Sequence, residues 1–161
     1  MLLKRIIKPM LVLLNRSVKF LVVIMLSLCM ISISYAEADR AEKMSILDID
    51  ADGDVDAPTD GLLILRSMFG LTDDALATGT VASDATYAVS TDIEYRIKKL
   101  GDLADIDGNG TIDALTDGLL TLRYLFGLEG DTLIAGVVAS DATRTTAVDI
   151  EAHLKTLMPA L

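Results

Sequence analysis

The chain has 161 residues, of which 24 are acidic and 14 basic, so its formal net charge at neutral pH is −10. This excess of negative charge disfavours binding to nucleic acid and to anionic membrane surfaces, which carry the same sign of charge. The chain has one cysteine, Cys29, and one histidine, His153, which disfavours a disulfide framework and a zinc site ligated by His and Cys.

The first 36 residues have the composition of a secretory signal peptide. They contain five basic residues and no acidic ones, an apolar run at 20–33, and a small-x-small cleavage sequence at 34–36. The apolar run is shorter than the ~20 residues that a spanning helix needs, which favours cleavage over an uncleaved anchor. Lipid attachment at Cys29 is a weaker alternative, because the bulky Leu28 precedes it. Cleavage would leave nine basic and 24 acidic residues, a net charge of −15, and no cysteine.

The rest of the chain contains the same 57-residue unit twice. After a short lead-in at 37–47, residues 48–104 and 105–161 align without a gap and agree at 30 of 57 positions. Each copy starts with an acidic loop, DIDADGDVDAPTD or DIDGNGTIDALTD, and continues into an apolar segment. Because one copy alone could not bury its apolar positions, we predict one all-α domain in which the two copies pack around a local twofold axis.

Apolar periodicity predicts two helices in each copy. The first is expected at about 58–69, where Leu62, Leu65 and Phe69 share one face, and again at about 115–126 in the second copy. We expect these faces to form the buried side of the two helices.

The second helix is expected at about 91–100 and 148–157. Thr91 and Glu94 have the spacing of a capping box in the first copy, whereas the start in the second copy is less well marked. Short helical turns near 73–78 and 131–135 would precede a recurring ASDAT sequence that is too polar to be assigned as a strand. The ASDAT copies lie at 82–86 and 139–143.

The acidic loops have the spacing of a calcium-binding loop. Calcium takes about six to eight oxygen ligands, so such a loop needs oxygen-bearing side chains at alternate positions, a glycine for the turn, a backbone carbonyl and a late carboxylate. The predicted ligands of the first loop are Asp48, Asp50, Asp52, the carbonyl of Asp54, Asp56 and Asp60. Those of the second loop are Asp105, Asp107, Asn109, the carbonyl of Thr111, Asp113 and Asp117. We therefore expect the chain to bind two calcium ions.

The closing carboxylate is displaced by one position in both loops. It normally stands twelfth, whereas Thr59 and Thr116 are twelfth here and Asp60 and Asp117 are thirteenth. Because both copies share the displacement, we interpret it as a variant of the loop. The alternative is a solvated acidic surface without metal, in which the carboxylates would repel one another. Magnesium, which requires near-ideal octahedral geometry, and zinc, which prefers His and Cys, are poorer candidates than calcium.

The sequence Asp-x-Asp-x-Asp/Asn-Gly-x-Val/Ile-Asp, followed by an apolar helix with LLxLR, resembles the dockerin repeats of secreted bacterial proteins, within the wider EF-hand class. The resemblance covers about 48–71 and 105–128. It implies a duplicated calcium loop and helix that bind cohesin domains and so attach polysaccharide-degrading enzymes to scaffolds. The residues aligned with the partner-contacting pair of the family are Ala57-Pro58 and Ala114-Leu115.

No constellation of catalytic residues recurs in both copies. The hydroxyls of ASDAT have no repeated histidine partner, and the close acidic pairs belong to the loops, so a small hydrolase is the least favoured class. We expect an exported, non-catalytic calcium-binding module that docks onto a cohesin-like or other extracellular protein. The alternative is a calcium-stabilised structural or terminal module, without a cohesin partner, of a surface or polysaccharide-degrading system.

Two arginines, Arg66 and its counterpart Arg123, stand at the edge of the apolar helix faces. They would either contact a partner or, as we favour, pair within the chain while their stems cover the core. The expected intramolecular partners are Asp84 and Asp141 or Asp92 and Asp149. His153 is expected to be solvated rather than a ligand.

Overall fold

The computed structural model describes residues 45–158. The predicted signal peptide at 1–36 and most of the lead-in lie outside this range, as do residues 159–161. Within 45–158 the regular elements are helices and there are no strands, which confirms the all-α prediction. None of the described helices combines the length and the apolarity needed to cross a bilayer.

The helix that follows the first acidic loop begins with a π-type turn. Asp56 caps this turn, since its Oδ1 accepts a hydrogen bond from Thr59 N at 2.8 Å, and Pro58 occupies the first turn, where a missing N–H costs nothing. The elements of the first repeat are the π-type turn Ala57–Gly61, α1 at Leu62–Met68, α2 at Asp73–Ala77, α3 at Ser90–Lys98 and a 3-10 turn at Gly101–Ala104.

The second repeat has the same helices in the same order. Its π-type turn and first helix lie 57 residues after those of the first repeat, residue for residue. The elements are the π-type turn Ala114–Gly118, α4 at Leu119–Leu125, α5 at Asp131–Ile134 and α6 at Ala147–Leu157. The helices predicted from periodicity therefore exist, with ends that differ from the predicted ones by a few residues.

The core contains leucine and isoleucine side chains from both repeats. In α1 the buried residues are Leu63 and Ile64, whereas Phe69, predicted to lie on the buried face, is 56% exposed, and Phe126 is 61% exposed. The prediction was wrong for the whole face. At about 100° per residue, Leu63 and Ile64 lie on the side of α1 opposite to the predicted face. Leu62 and Leu65 on the predicted face are half-buried, and Phe69 closes the helix there, with its N donating to Leu65 O at 3.0 Å.

The two repeats pack through the starts of their first helices. A β-carbon at Gly61 would lie 2.9 Å from Leu122 Cδ1, and one at Gly118 would lie 2.8 Å from Leu65 Cδ1. The two approaches are equivalent with the repeats exchanged, because Gly118 is the counterpart of Gly61 and Leu122 that of Leu65. A side chain at either position would require the facing leucine to shift, and each glycine directly follows the closing aspartate of its loop.

Candidate metal centre

The closing aspartates reach their loops because each following helix starts with a π-type turn. Gly61 N donates to Asp56 O at 3.0 Å, and Gly118 N donates to Asp113 O at 3.1 Å, both across five residues. A π turn contains one residue more than an α turn closed at the same carbonyl. Because of the extra residue, Asp60 and Asp117 at the thirteenth loop position face the loop, as the twelfth residue would if the helix began with an α turn. The displaced acid is thus accommodated in both loops by the same local structure.

Asp60 connects the beginning of the first loop to its end. Its Oδ1 accepts a hydrogen bond from Ile49 N at 2.6 Å, and its Oδ2 accepts one from Asp56 N at 3.0 Å. Asp117 does the same in the second loop, accepting from Ile106 N at 2.6 Å and from Asp113 N at 2.9 Å. Both carboxylates are 0% exposed. These bonds fix the loop ends around a buried carboxyl group.

Three of the predicted ligands in each loop lie together. Asp48, Asp50 and Asp60 each offer one carboxylate oxygen, and these oxygens lie within 4.8 Å of one another. Asp105, Asp107 and Asp117 form an equivalent group. Oxygens that bind one calcium ion at about 2.3–2.6 Å lie at most about 5 Å apart, so each group has the spacing that a shared cation requires. Each loop could therefore hold a metal ion.

The other side chains predicted as ligands in the first loop are not members of this group. Asp52 Oδ1 accepts a hydrogen bond from Asp54 N at 2.8 Å, and Asp56 Oδ1 accepts from both the backbone N and the hydroxyl of Thr59. Asp54 itself is exposed, and the ligand predicted there is its carbonyl. The metal-binding roles of these three residues stay predictions.

The second loop shows the same division. Asn109 Oδ1 accepts from Thr111 N at 2.8 Å, and Asp113 Oδ1 caps the helix by accepting from Leu115 N and Thr116 N. The roles predicted for Asn109, for the Thr111 carbonyl and for Asp113 stay predictions as well.

The electrostatics of the first loop are unfavourable without a cation. The pKa of Asp60 is raised to about 7, mainly by burial and in smaller part by the charges of Asp50 and Asp48, against the opposing effect of two backbone hydrogen bonds. Burial also raises the pKa of Asp48, as does the charge of Asp52. Asp48 is 2% exposed, and its Oδ1 has no hydrogen-bond partner among the residues that the structure describes. A buried carboxylate oxygen without a donor is costly, and an oxygen-seeking cation would relieve that cost.

The first aspartate of the second loop has a different environment. The carboxylate of Asp105 accepts hydrogen bonds from Gly108 N at 2.7 Å, Asn109 N at 3.1 Å and Gly110 N at 2.9 Å. Burial raises the pKa of Asp117 in this loop, against three opposing backbone hydrogen bonds. The second loop is therefore better satisfied by its own backbone than the first.

The recurring ASDAT sequence contacts the loops, which sequence reasoning did not predict. Ala82 N donates to Asp50 Oδ2 at 2.8 Å, and Ala139 N donates to Asp107 Oδ2 at 2.9 Å. Each bond orients one of the three clustered carboxylates. The exact recurrence of ASDAT in both copies was the available signal, but periodicity gives such a segment no partner.

Arg66 and Arg123 do pair within the chain, but not with the expected aspartates. Arg66 Nη1 donates to the carbonyls of Leu76 and Thr78, both at 3.0 Å, where α2 ends. Arg123 makes the equivalent two bonds at the end of α5. Carbonyls at a helix end lack intrahelical donors and attract positive charge, which explains why they are the partners.

No protein-family model, curated protein or solved structure matches the chain. The dockerin resemblance accordingly depends on the loop spacing, the LLxLR segment and the duplication. The described residues contribute two buried acidic groups that could each hold a metal ion.

Proposed function

We propose that this chain is a secreted, non-catalytic module that binds two calcium ions and whose folding is coupled to calcium. The observation that carries the proposal is the buried Oδ1 of Asp48, which accepts no hydrogen bond from any group within 45–158 and belongs to a residue of a three-carboxylate group. Asp48, Asp50 and Asp60 would hold one ion, and Asp105, Asp107 and Asp117 the other. Calcium would supply the positive charge that offsets the repulsion and burial of these groups.

Calcium suits the donor set better than other metals do. The clustered donors in both loops are carboxylate oxygens, and calcium accepts irregular oxygen cages, whereas zinc prefers nitrogen and sulfur. Extracellular modules of this kind bind calcium at about 10⁻⁴–10⁻³ M, which corresponds to constitutive stabilisation. At free calcium a hundredfold above the dissociation constant, each site would stabilise the folded chain by about 2.7 kcal/mol.

The experiment that tests calcium binding is calorimetric titration of the full-length chain, combined with thermal melts in calcium and in chelator. The expected result is two binding events and a large loss of stability in chelator. Asp50→Asn and Asp107→Asn are matched variants, each of which should remove one event and leave the other. Magnesium at the same concentration serves as the control metal. If the chain binds no calcium and melts identically in both buffers, the proposal fails.

For the biological role, we propose docking onto a cohesin-like or other extracellular protein. Exposed aromatic residues at equivalent positions support it, because Phe69 and Phe126 present their rings to solvent just after α1 and α4. The pair F69S/F126S should retain calcium binding and lose the complex with a cohesin-like domain in a calcium-dependent pull-down. Y95S is the control, since Tyr95 is 60% exposed on α3. Absence of a complex in calcium would favour the structural-module alternative.

Export is the remaining part of the proposal. Its support is the composition of residues 1–36, and cleavage there would make Glu37 the first residue of the mature protein. N-terminal sequencing of the chain recovered from the culture medium or periplasm tests it. Recovery of an uncleaved, membrane-bound chain would support the anchor alternative.

A further inference from the structure

In each acidic loop an arginine donates to the carbonyls of the first two loop residues, but the two arginines stand at different positions of their repeats. Arg96 Nε donates to Ile49 O at 2.7 Å, and its Nη2 donates to Asp48 O. Arg144 Nε donates to Ile106 O at 2.7 Å, and its Nη2 donates to Asp105 O. The acceptors are equivalent in the two repeats, since they stand 57 residues apart. The donors are not equivalent, because Arg96 lies in α3 whereas Arg144 precedes α6.

In each repeat, the position that carries the loop arginine in the other repeat is occupied by a different residue. The residue equivalent to Arg144 is Tyr87, whose ring centroid lies 4.7 Å from the Arg96 guanidinium carbon. The residue equivalent to Arg96 is His153, whose Nε2 lies 2.9 Å from Leu103 O, outside the loop. The backbone is the same at the exchanged position, because Tyr87 N donates to Asp50 O and Arg144 N donates to Asp107 O, both at 2.8 Å. An arginine at either position can therefore reach the carbonyls.

Holding these carbonyls has a direct effect on the acidic groups. Asp48 and Asp50 flank the held carbonyls of the first loop, and both contribute a carboxylate to the acidic group, so the orientation of this backbone segment sets the direction in which their side chains leave it. The planar guanidinium donates to both carbonyls at once, which fixes the orientation of the two successive peptide groups to which they belong. Hydrogen bonds of this kind behind a metal site change metal affinity by about 10–100-fold when they are removed.

We propose that Arg96 and Arg144 are positioning residues of the two acidic loops. The pair Tyr87 and Arg96 in the first repeat and the equivalent pair Arg144 and His153 in the second are two interchangeable ways to place one arginine at the loop carbonyls. The inference rests on the proposed calcium binding and adds to it the residues that fix each loop. The same hydrogen bonds stabilise the fold without calcium, so their removal should also lower Tm in chelator.

The test exchanges the arrangement within the first repeat. In the full-length chain with the second loop disabled by Asp107→Asn, calcium affinity is measured by calorimetry for R96H and for Y87R/R96H. R96H should weaken binding by about 10–100-fold, and Y87R/R96H should recover most of the loss. T86R/R96H is the matched control, because it restores the charge one residue away and should not recover binding.

Three results would overturn the inference: unchanged affinity in R96H, no recovery in Y87R/R96H, or equal recovery in T86R/R96H. If R96H does not fold, Y87R/R96H decides, since a folded, calcium-binding chain supports the exchange and an unfolded one refutes it. If the parent chain binds no calcium, the proposed function fails separately. The positioning role is then judged from melts in chelator, where R96H should lower Tm and Y87R/R96H should restore it.

Discussion

Acidification is expected to stabilise the metal-free protein. Burial holds the pKa of Asp60 at about 7, compared with 3.8 for an ordinary aspartate. An acid whose pKa is raised on folding binds its proton more tightly in the folded state, so stability falls as pH rises from about 4 to about 7. The difference between the two pKa values corresponds to about 4 kcal/mol, a large share of the stability of a small domain. Burial raises the pKa of Asp48, Asp52 and Asp117 in the same direction.

The assay is a thermal melt in chelator at about pH 5 and about pH 7.5, repeated in saturating calcium. In chelator, Tm should be higher at the lower pH by about 10 °C or more. In calcium the difference should shrink or reverse, because a bound cation requires ionised carboxylates and affinity rises with pH. D60N removes this titration and should flatten the dependence in chelator. A chelator Tm that falls on acidification, or a full pH dependence in D60N, would refute the reasoning.

The remaining predictions concern the backbone and the arginines that cap helices. Ala51 has φ +57° in the left-handed region, where its counterpart is Gly108; A51G should therefore raise the free energy of unfolding by about 1 kcal/mol in urea denaturation. G108A should lower it by more, because the new β-carbon would clash with the Thr143 hydroxyl, and a neutral result would contradict the geometry. R66Q should lower the free energy of unfolding, because the two hydrogen bonds at the end of α2 are lost. The expected loss is about 1–3 kcal/mol, toward the lower end because Arg66 is partly exposed. A stable R66Q that loses a partner would instead indicate a docking role.

The helices were predictable because burial on one side imposes a 3.6-residue period on the sequence. Hydrogen bonds between residues far apart in the sequence could not be predicted in this way. Glu94, predicted to complete a capping box with Thr91, accepts a hydrogen bond from Asp73 N at 3.0 Å instead, and α3 starts without a side-chain cap. In the second repeat, where the start was less well marked, Thr146 caps α6 by accepting from Asp149 N. Local spacing cannot show that a distant backbone N–H competes for the same carboxylate.

The clustered acids were also predictable, because a loop that surrounds a cation needs oxygens at fixed spacing. The π-type turn that accommodates Asp60 was visible only as a displacement shared by both copies. The loop arginines could not be predicted from the alignment of the repeats, since Arg96 aligns with His153 and Arg144 with Tyr87. Only the fold shows that the two arginines reach equivalent carbonyls.

The unfavourable features of the two acidic loops are concentrated in the first one. It contains left-handed Ala51 and an Oδ1 of Asp48 that has no hydrogen-bond donor in the described part of the chain. The second loop has Gly108 and an Asp105 carboxylate with three N–H donors at the equivalent positions. Because a strained residue and an unpaired buried oxygen each cost about 1–3 kcal/mol, the first loop should open more readily without a cation. Hydrogen exchange in chelator is expected to be faster for the amides of 48–60 than for those of 105–117. Equal protection of the two loops would show that the local cost of the first loop is offset elsewhere in the fold.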